Sequence, residues 1–241
     1  MTRRRRRLPG RHAARAAGKY GIIFAMKAFV IAMENEAQCV LDNLTDSSET
    51  REFGRRVVRG RLCGEETMVV ISGIGKVNAS AAAQFALQTG ADTIVNIGVA
   101  GGLDPSFEVA DIFEIDSAVQ YDFDLSAVNG TMVGTLDERS TPYIPLSTTG
   151  KLTAKSIGTG DRFNDSDADN DLLANVMSCS LRDMECAAVA QVCERAGARC
   201  VAFKCVSDVR GKGAMTGQYV DNLKRCLARL AAEVPTLFSY V

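Results

Sequence analysis

Short β-branched runs alternate with helically spaced or alanine-rich stretches along most of this chain, and that alternation predicts a mainly parallel sheet covered by helices on both faces. Residues 27–32 read as the first strand, and Ala37, Val40, Leu41 and Leu44 carry helical spacing through 34–44. Residues 56–63 and 67–72 read as a hairpin, with Gly64 and two glutamates between them. Gly73 and Gly75 open the alanine-rich stretch 77–87, whose composition favours helix. Residues 93–97 form the next strand, ended by Gly98 and a turn at Ala100, Gly101 and Gly102. Then come a run at 111–119, a polar, turn-rich segment at 122–145, a strand near 155–158 and a helix from about 183 to 196. The last strand is 200–206, and a C-terminal helix spans about 219 to 232. In sheets of this kind ligands collect beyond the carboxyl ends of the strands, so residues just after strands are the candidates for chemistry.

The length, 241 residues with 46% hydrophobic, suits one α/β domain over 26–241 that buries a core and a small-molecule pocket. Lys and Arg total 28 against 29 Asp and Glu, a balance that argues against nucleic acid as a partner. Charge is concentrated in one place, the unbroken arginine run 3–7 followed by Arg11 and Arg15, and residues 1–25 read as a solvated basic tail outside the fold. Met26 stands just before the first strand, so translation is expected to be able to begin there; mass spectrometry of the native N-terminus checks this. The apolar stretch 20–33 is interrupted by Lys27 and has no small-residue cleavage site, unlike a signal peptide. No apolar run approaches the ~20 residues that cross a bilayer, so no membrane partner and a cytoplasmic location are expected. The eight cysteines form no C-x-x-C pair and lie mostly in apolar stretches, the pattern of reduced core thiols and not of disulfides or zinc ligands. The one histidine, His12, is in the basic tail, so Ser-His-Asp, Cys-His and histidine-metal chemistry lack their imidazole and acid-base work falls to carboxylates.

Three acids occupy the expected positions: Glu36 after the first strand, Glu185 at the start of a helix, and Asp208 just after the last strand. Taken singly, each is better explained as a solvated or capping carboxylate. Their contexts are Ala32-Met33-Glu34-Asn35-Glu36, Ser72-Gly73-Ile74-Gly75-Lys76, Asn96-Ile97-Gly98-Val99-Ala100-Gly101-Gly102, Gly160-Asp161-Arg162-Phe163, Asp183-Met184-Glu185-Cys186-Ala187-Ala188 and Val206-Ser207-Asp208-Val209. In that order and spacing, from about Met26 to the C-terminus, the chain resembles the 5'-methylthioadenosine/S-adenosylhomocysteine nucleosidases of the nucleoside phosphorylase superfamily.

The resemblance implies a three-layer α/β/α sandwich with a mixed, mainly parallel sheet, and an N-ribosyl hydrolase that needs no cofactor or metal. It implies that Asp208 protonates N7 of adenine, that Ser207 helps to position it, that Glu36 orients the attacking water and that Glu185 holds the ribose hydroxyls. A carboxyl acting as general acid requires a raised pKa, which burial supplies, and a carboxylate near the sugar favours its oxocarbenium character. The resemblance likewise places Phe163 on the purine, Met184 against the sugar, Ile74 near the 5' substituent, and Met33, Val99 and Lys204 around the substrate. From residue type alone, Phe163 and Met184 fit ordinary core packing equally well. Leu125 and Val128 fall where family members send a loop into the neighbouring subunit's 5' pocket, which implies a homodimer.

Related phosphorylases hold phosphate with arginines in the first glycine-rich loop and before the central glycine turn. Here those places carry Met33-Glu34-Asn35-Glu36 and Asn96-Ile97. A carboxylate where phosphate would sit repels it by roughly 4 kcal/mol for unit charges at about 4 Å and an effective dielectric near 20, so water is the expected nucleophile. Three places depart from the bacterial pattern. Val99 replaces a serine, at a cost of about 1 kcal/mol in lost hydrogen bonding to the water. Lys204 replaces an arginine, as in the plant-type branch, and Tyr121-Asp122-Phe123-Asp124 stands where relatives carry His-Asp, which bears on the 5' substituent. Readings left open are a phosphorylase, another nucleoside hydrolase such as one acting on a futalosine-type nucleoside, and a silent nucleoside-binding protein. A nucleic-acid role for the arginine tail is the remaining one.

Overall fold

Apolar side chains at consecutive positions suit strands buried on both faces, and the middle of the sheet is built from such strands. The computed structural model describes residues 26–163 and 166–241; the basic stretch 1–25, with His12, lies outside the described residues. In chain order the elements are β1 (Met26–Ile31), α1 (Glu34–Leu41), β2 (Thr45–Glu52), β3 (Arg55–Leu62), β4 (Glu65–Ile71), α2 (Lys76–Gln88), β5 (Ala91–Gly102) and β6 (Ile112–Gln120). There follow α3 (Ser126–Asn129), β7 (Ile144–Pro145), β8 (Ala154–Thr159), α4 (Asp167–Asp171), β9 (Leu181–Asp183), α5 (Cys186–Ala196), β10 (Arg199–Val209) and α6 (Met215–Tyr240). A π-helical turn, Leu172–Val176, continues α4.

β4, β1, β5 and β10 lie side by side and parallel. Alternate side chains go to opposite layers. Ala28, Val30, Ile94 and Ala202 pack with α2 and α5, where Ala79, Ala82, Ala83, Ala86, Ala187 and Ala190 keep the helices close to the sheet. Phe29, Ile31, Val95, Val201 and Phe203 pack with α1 and α6 through Val40, Leu230, Val234 and Phe238. The three-layer α/β/α order and the mixed sheet follow directly. One half of the sheet also closes on itself, since β10 pairs with β5 and β6, β6 with β8, β8 with β9, and β9 with β5. On the other side β4, β3 and β2 extend from β1 as an antiparallel flap.

Several boundaries differ from the sequence reading for identifiable reasons. β2 is almost wholly exposed and polar, so it carries no apolar signal and reads as a loop. The β3–β4 turn is the pair Cys63-Gly64, both with positive φ, and the two glutamates belong to β4. Cys63 is the exposed cysteine, whereas the other seven are buried. The glycines after Gly98 do not end β5, because Ala100, Gly101 and Gly102 pair with Val206, Asp208 and Val209 of β10. Asp208 therefore sits inside β10, not after it. Asp183 ends strand β9, so α5 starts later than 183. α6 begins earlier, at Met215, and runs through Pro235 to Tyr240. Proline lacks the N–H that would bond the Ala231 carbonyl four residues back, and that carbonyl accepts instead from the Asn43 side-chain amide at 3.4 Å.

The segment beyond Pro235 carries core energy. Phe238 is 1% exposed and stacks on Phe29 with ring centroids 6.0 Å apart. Phe238→Ala is expected to lower the unfolding free energy by about 3–5 kcal/mol in a denaturant titration. A loss of a few tenths would mean that α6 does not dock beyond Pro235.

Candidate active site

β1 delivers the chain to the first turn of α1, and Glu36 stands there as the third helical residue, 5% exposed. Its Oε2 accepts from the backbone N–H of Met33 at 3.2 Å and its Oε1 from that of Val99 at 2.8 Å. The second contact depends on Gly98, since a Cβ there would lie 2.6 Å from Glu36 Oε1. Burial pushes the Glu36 pKa up, and the Val99 N–H and the Lys204 charge pull it partly back.

Glu185 caps α5 and is 8% exposed. Its Oε1 accepts from the N–H of Gly75, which sits at φ 99° in the turn that opens α2. A small polar latch fixes that turn. Asp161 Oδ1 accepts from Lys76 N at 2.8 Å, Asp122 Oδ2 accepts from Asp161 N at 2.9 Å, and Lys76 Nζ pairs with Asp122 Oδ1 at 2.5 Å. Asp122, from the segment Tyr121-Asp122-Phe123-Asp124, thus holds the glycine turn that faces Glu185. Burial, followed by the neighbouring Asp183 charge, pushes the Glu185 pKa up to about 7.

Asp208 reaches the same space by a bulge. The β10–β5 register shifts between Val206 and Asp208, leaving Ser207 as the extra residue, a device that re-aims side chains at a strand end. Ser207 Oγ donates to Asp208 Oδ1 at 2.7 Å. A Cβ on Gly101 would lie 2.8 Å from Asp208 Oδ2, so this glycine, like Gly98, clears room for a carboxylate.

These acids open into one cleft. Its lining includes Met33, Glu36, Ile74, Val99, Phe163, Met184, Glu185, Ser207 and Asp208, all anticipated from the sequence. Lys204 is not on the lining. Its Nζ lies 2.9 Å from Asp183 Oδ2, and both side chains are buried. Desolvation pulls the Lys204 pKa down, but Asp183 and the other acids outweigh it and the net shift is upward. Leu125 and Val128 are also away from the cleft; Leu125, half-buried, immediately precedes α3, and Val128, in that helix, is 83% exposed. The sequence reading missed Tyr219 and Arg182. Tyr219 meets Phe163 edge-on at 5.0 Å between ring centroids and points its hydroxyl at Met33 Sδ. Arg182 pairs with Gly101 across β9 and β5, and its NH1 donates to Asn170 Oδ1 at 2.9 Å. Arg182 adjoins the Asp183-Met184-Glu185 string, a signal that could have flagged it; Tyr219 had none.

The raised Glu185 has a measurable consequence. With a folded value near 7 and an ordinary value of 4.5, the folded state binds more protons than the unfolded state between those limits. Stability of the free protein therefore falls as pH rises through that window, and Glu36 contributes with the same sign. Glu185→Gln is expected to flatten the fall in unfolding free energy measured by denaturant titration at either end of the window. An unchanged slope would contradict the assignment.

The Phosphorylase superfamily matches residues 20–239. The 5'-methylthioadenosine/S-adenosylhomocysteine nucleosidase of Colwellia psychrerythraea is 34% identical over 209 residues, covering 78% of this chain and 85% of that protein. The nucleosidase of the same name from a Marinomonas species is 33% identical over 196 residues, covering 75% and 84%. Among solved structures, the C. psychrerythraea nucleosidase in complex with adenine has a TM-score of 0.81 at 26% identity, covering 90% of this chain and 96% of that one. The futalosine hydrolase of Helicobacter pylori shares the fold, with a TM-score of 0.83 at 24% identity, covering 90% and 98%. With three buried carboxylates meeting in one cleft and relatives at this level of identity, the chain belongs to the 5'-methylthioadenosine/S-adenosylhomocysteine nucleosidases of the phosphorylase superfamily.

Proposed function

We propose that the cleft hydrolyses the N-ribosidic bond of 5'-methylthioadenosine, S-adenosylhomocysteine or both, releasing adenine and the 5'-thio-substituted ribose. The observation that carries this reading is the convergence of Glu36, Glu185 and Asp208 on one cleft at the ends of three different elements. Asp208 gives its proton to N7, the glycosidic electron pair passes to the purine, and the base leaves neutral. Ser207, bonded to Asp208, fixes the carboxyl's orientation. Glu185 meets the ribose hydroxyls and offsets positive charge developing at C1', while Glu36 takes a proton from the water that attacks that carbon. The proton taken up by Glu36 balances the one lost from Asp208. Met33, Ile74, Val99, Phe163 and Met184 shape the walls around base, sugar and 5' group, and Lys204 acts from behind them.

Water is favoured over phosphate by the same hydrogen bonds that hold Glu36. The Met33 and Val99 N–H groups, the donors that the β1–α1 turn and β5 offer at this point, are both taken by its carboxylate. An incoming phosphate would meet an acid in their place. The reading extends to a cytoplasmic homodimer in which Leu125 and Val128 complete the neighbouring subunit's 5' pocket; the exposure of Val128 supports it. No helix among the described residues is long and apolar enough to cross a membrane.

Incubation with 5'-methylthioadenosine is expected to release adenine at the same rate with and without phosphate. Asp208→Asn is expected to lose about 10²–10⁴-fold in kcat, the usual worth of a positioned general acid. Strict dependence on phosphate would make the protein a phosphorylase, and no release would exclude this substrate class.

A further inference from the structure

Asp183 has no part in the reaction as drawn above and Lys204 only a place behind the cleft wall, yet their side chains are only 2% and 3% exposed. Asp183 is well supplied with donors besides the ammonium. Thr159 Oγ1 donates to its Oδ1 at 2.6 Å, and the Cys186 N–H donates to its Oδ2 at 2.9 Å. Buried ion pairs contribute little to stability compared with apolar residues of similar volume, so packing alone gives weak reason for this one. Its surroundings give a stronger reason. Lys204 pairs across the strands with Gly98, where a Cβ would lie 2.6 Å from Glu36 Oε1, and Asp183, two residues before Glu185, accepts from the N–H of Cys186, the residue after it. Both charges reach both glutamates, the ammonium outweighing the carboxylate at Glu36 and the carboxylate outweighing the ammonium at Glu185.

We propose that Asp183 and Lys204 are positioning residues that act through the two glutamates, Lys204 beside Glu36 and Asp183 beside Glu185. The pair then sets the pH at which Glu36 is ready to accept a proton from water. The inference rests on the hydrolytic reading and deepens it. The other groups facing Glu36 are Glu185 at the cap of α5, Asp208 on β10, Tyr219 on α6, Cys39 on its own helix, and Arg162 and Arg182 on the cleft wall. None of these is altered in the variants below, so a shift between variants reports the pair.

The test is the pH profile of kcat/KM with 5'-methylthioadenosine for wild type, Asp183→Asn, Lys204→Arg and the double variant Asp183→Asn with Lys204→Met. Removing the negative charge is expected to move the acid limb down by about one pH unit, the usual effect of a nearby charge, and the neutral double variant to return it toward wild type. Lys204→Arg, which keeps the charge, is expected to leave the limb in place. A uniform loss of rate with an unmoved limb in Asp183→Asn, or a shift upward, would overturn the proposal. A wild-type enzyme that releases no adenine would overturn the hydrolytic reading instead. In that case ¹³C titration of the glutamate carboxyls, assigned with Glu36→Gln, still decides the pair's influence by the same shift.

Discussion

A carboxylate as deeply buried as Glu36 is kept only where donors replace its lost hydration, and here the donors are backbone N–H groups brought together from the β1–α1 turn and from β5 beside Gly98. That requirement organises its neighbourhood. β1 must end in a helical turn that presents the Met33 N–H, and β5 must run beside it without a Cβ at Gly98. Glu185 repeats the arrangement with the Gly75 N–H, and Asp208 repeats the glycine clearance at Gly101. The parallel strands β1, β5 and β10 bring these solutions to one end of the sheet.

The three acids are buried to a similar degree but supported differently, and this division suits unlike roles. Glu36 has two backbone N–H bonds, Glu185 one, and Asp208 a hydroxyl from the residue beside it. Neighbouring titratable groups with different surroundings are how one site runs acid and base steps at the same pH. Asp183 and Lys204 add a fixed dipole beside the glutamates, so the cleft's electrostatics come partly from an ion pair whose side chains are almost wholly buried.

The core was legible because strands buried on both faces read as continuous apolar runs, and α2 declared itself by its alanines. The acids were legible because Glu36 follows a strand end, Glu185 opens a helix and all three lie in family strings. Other features are fixed by pairing between distant segments and leave little local trace. β2 is polar because it is an edge, and α6 passes Pro235 because Asn43 supplies the partner that the proline removes. The closure of the sheet through β9, the Ser207 bulge and the Lys204–Asp183 pair likewise depend on residues far apart in sequence. Lys204 looked like a wall residue from its place before Asp208, but alternation along β10 and the pull of Asp183 put it behind the wall.

The most direct test of Asp208 as the proton donor to N7 is turnover of the 7-deaza analogue of 5'-methylthioadenosine, whose carbon at that position cannot take the proton. The analogue is expected to bind about as well as the substrate in a calorimeter and to release no base over many substrate half-lives. Release at a rate comparable to that of 5'-methylthioadenosine would show that leaving-group protonation at N7 is not how this site works.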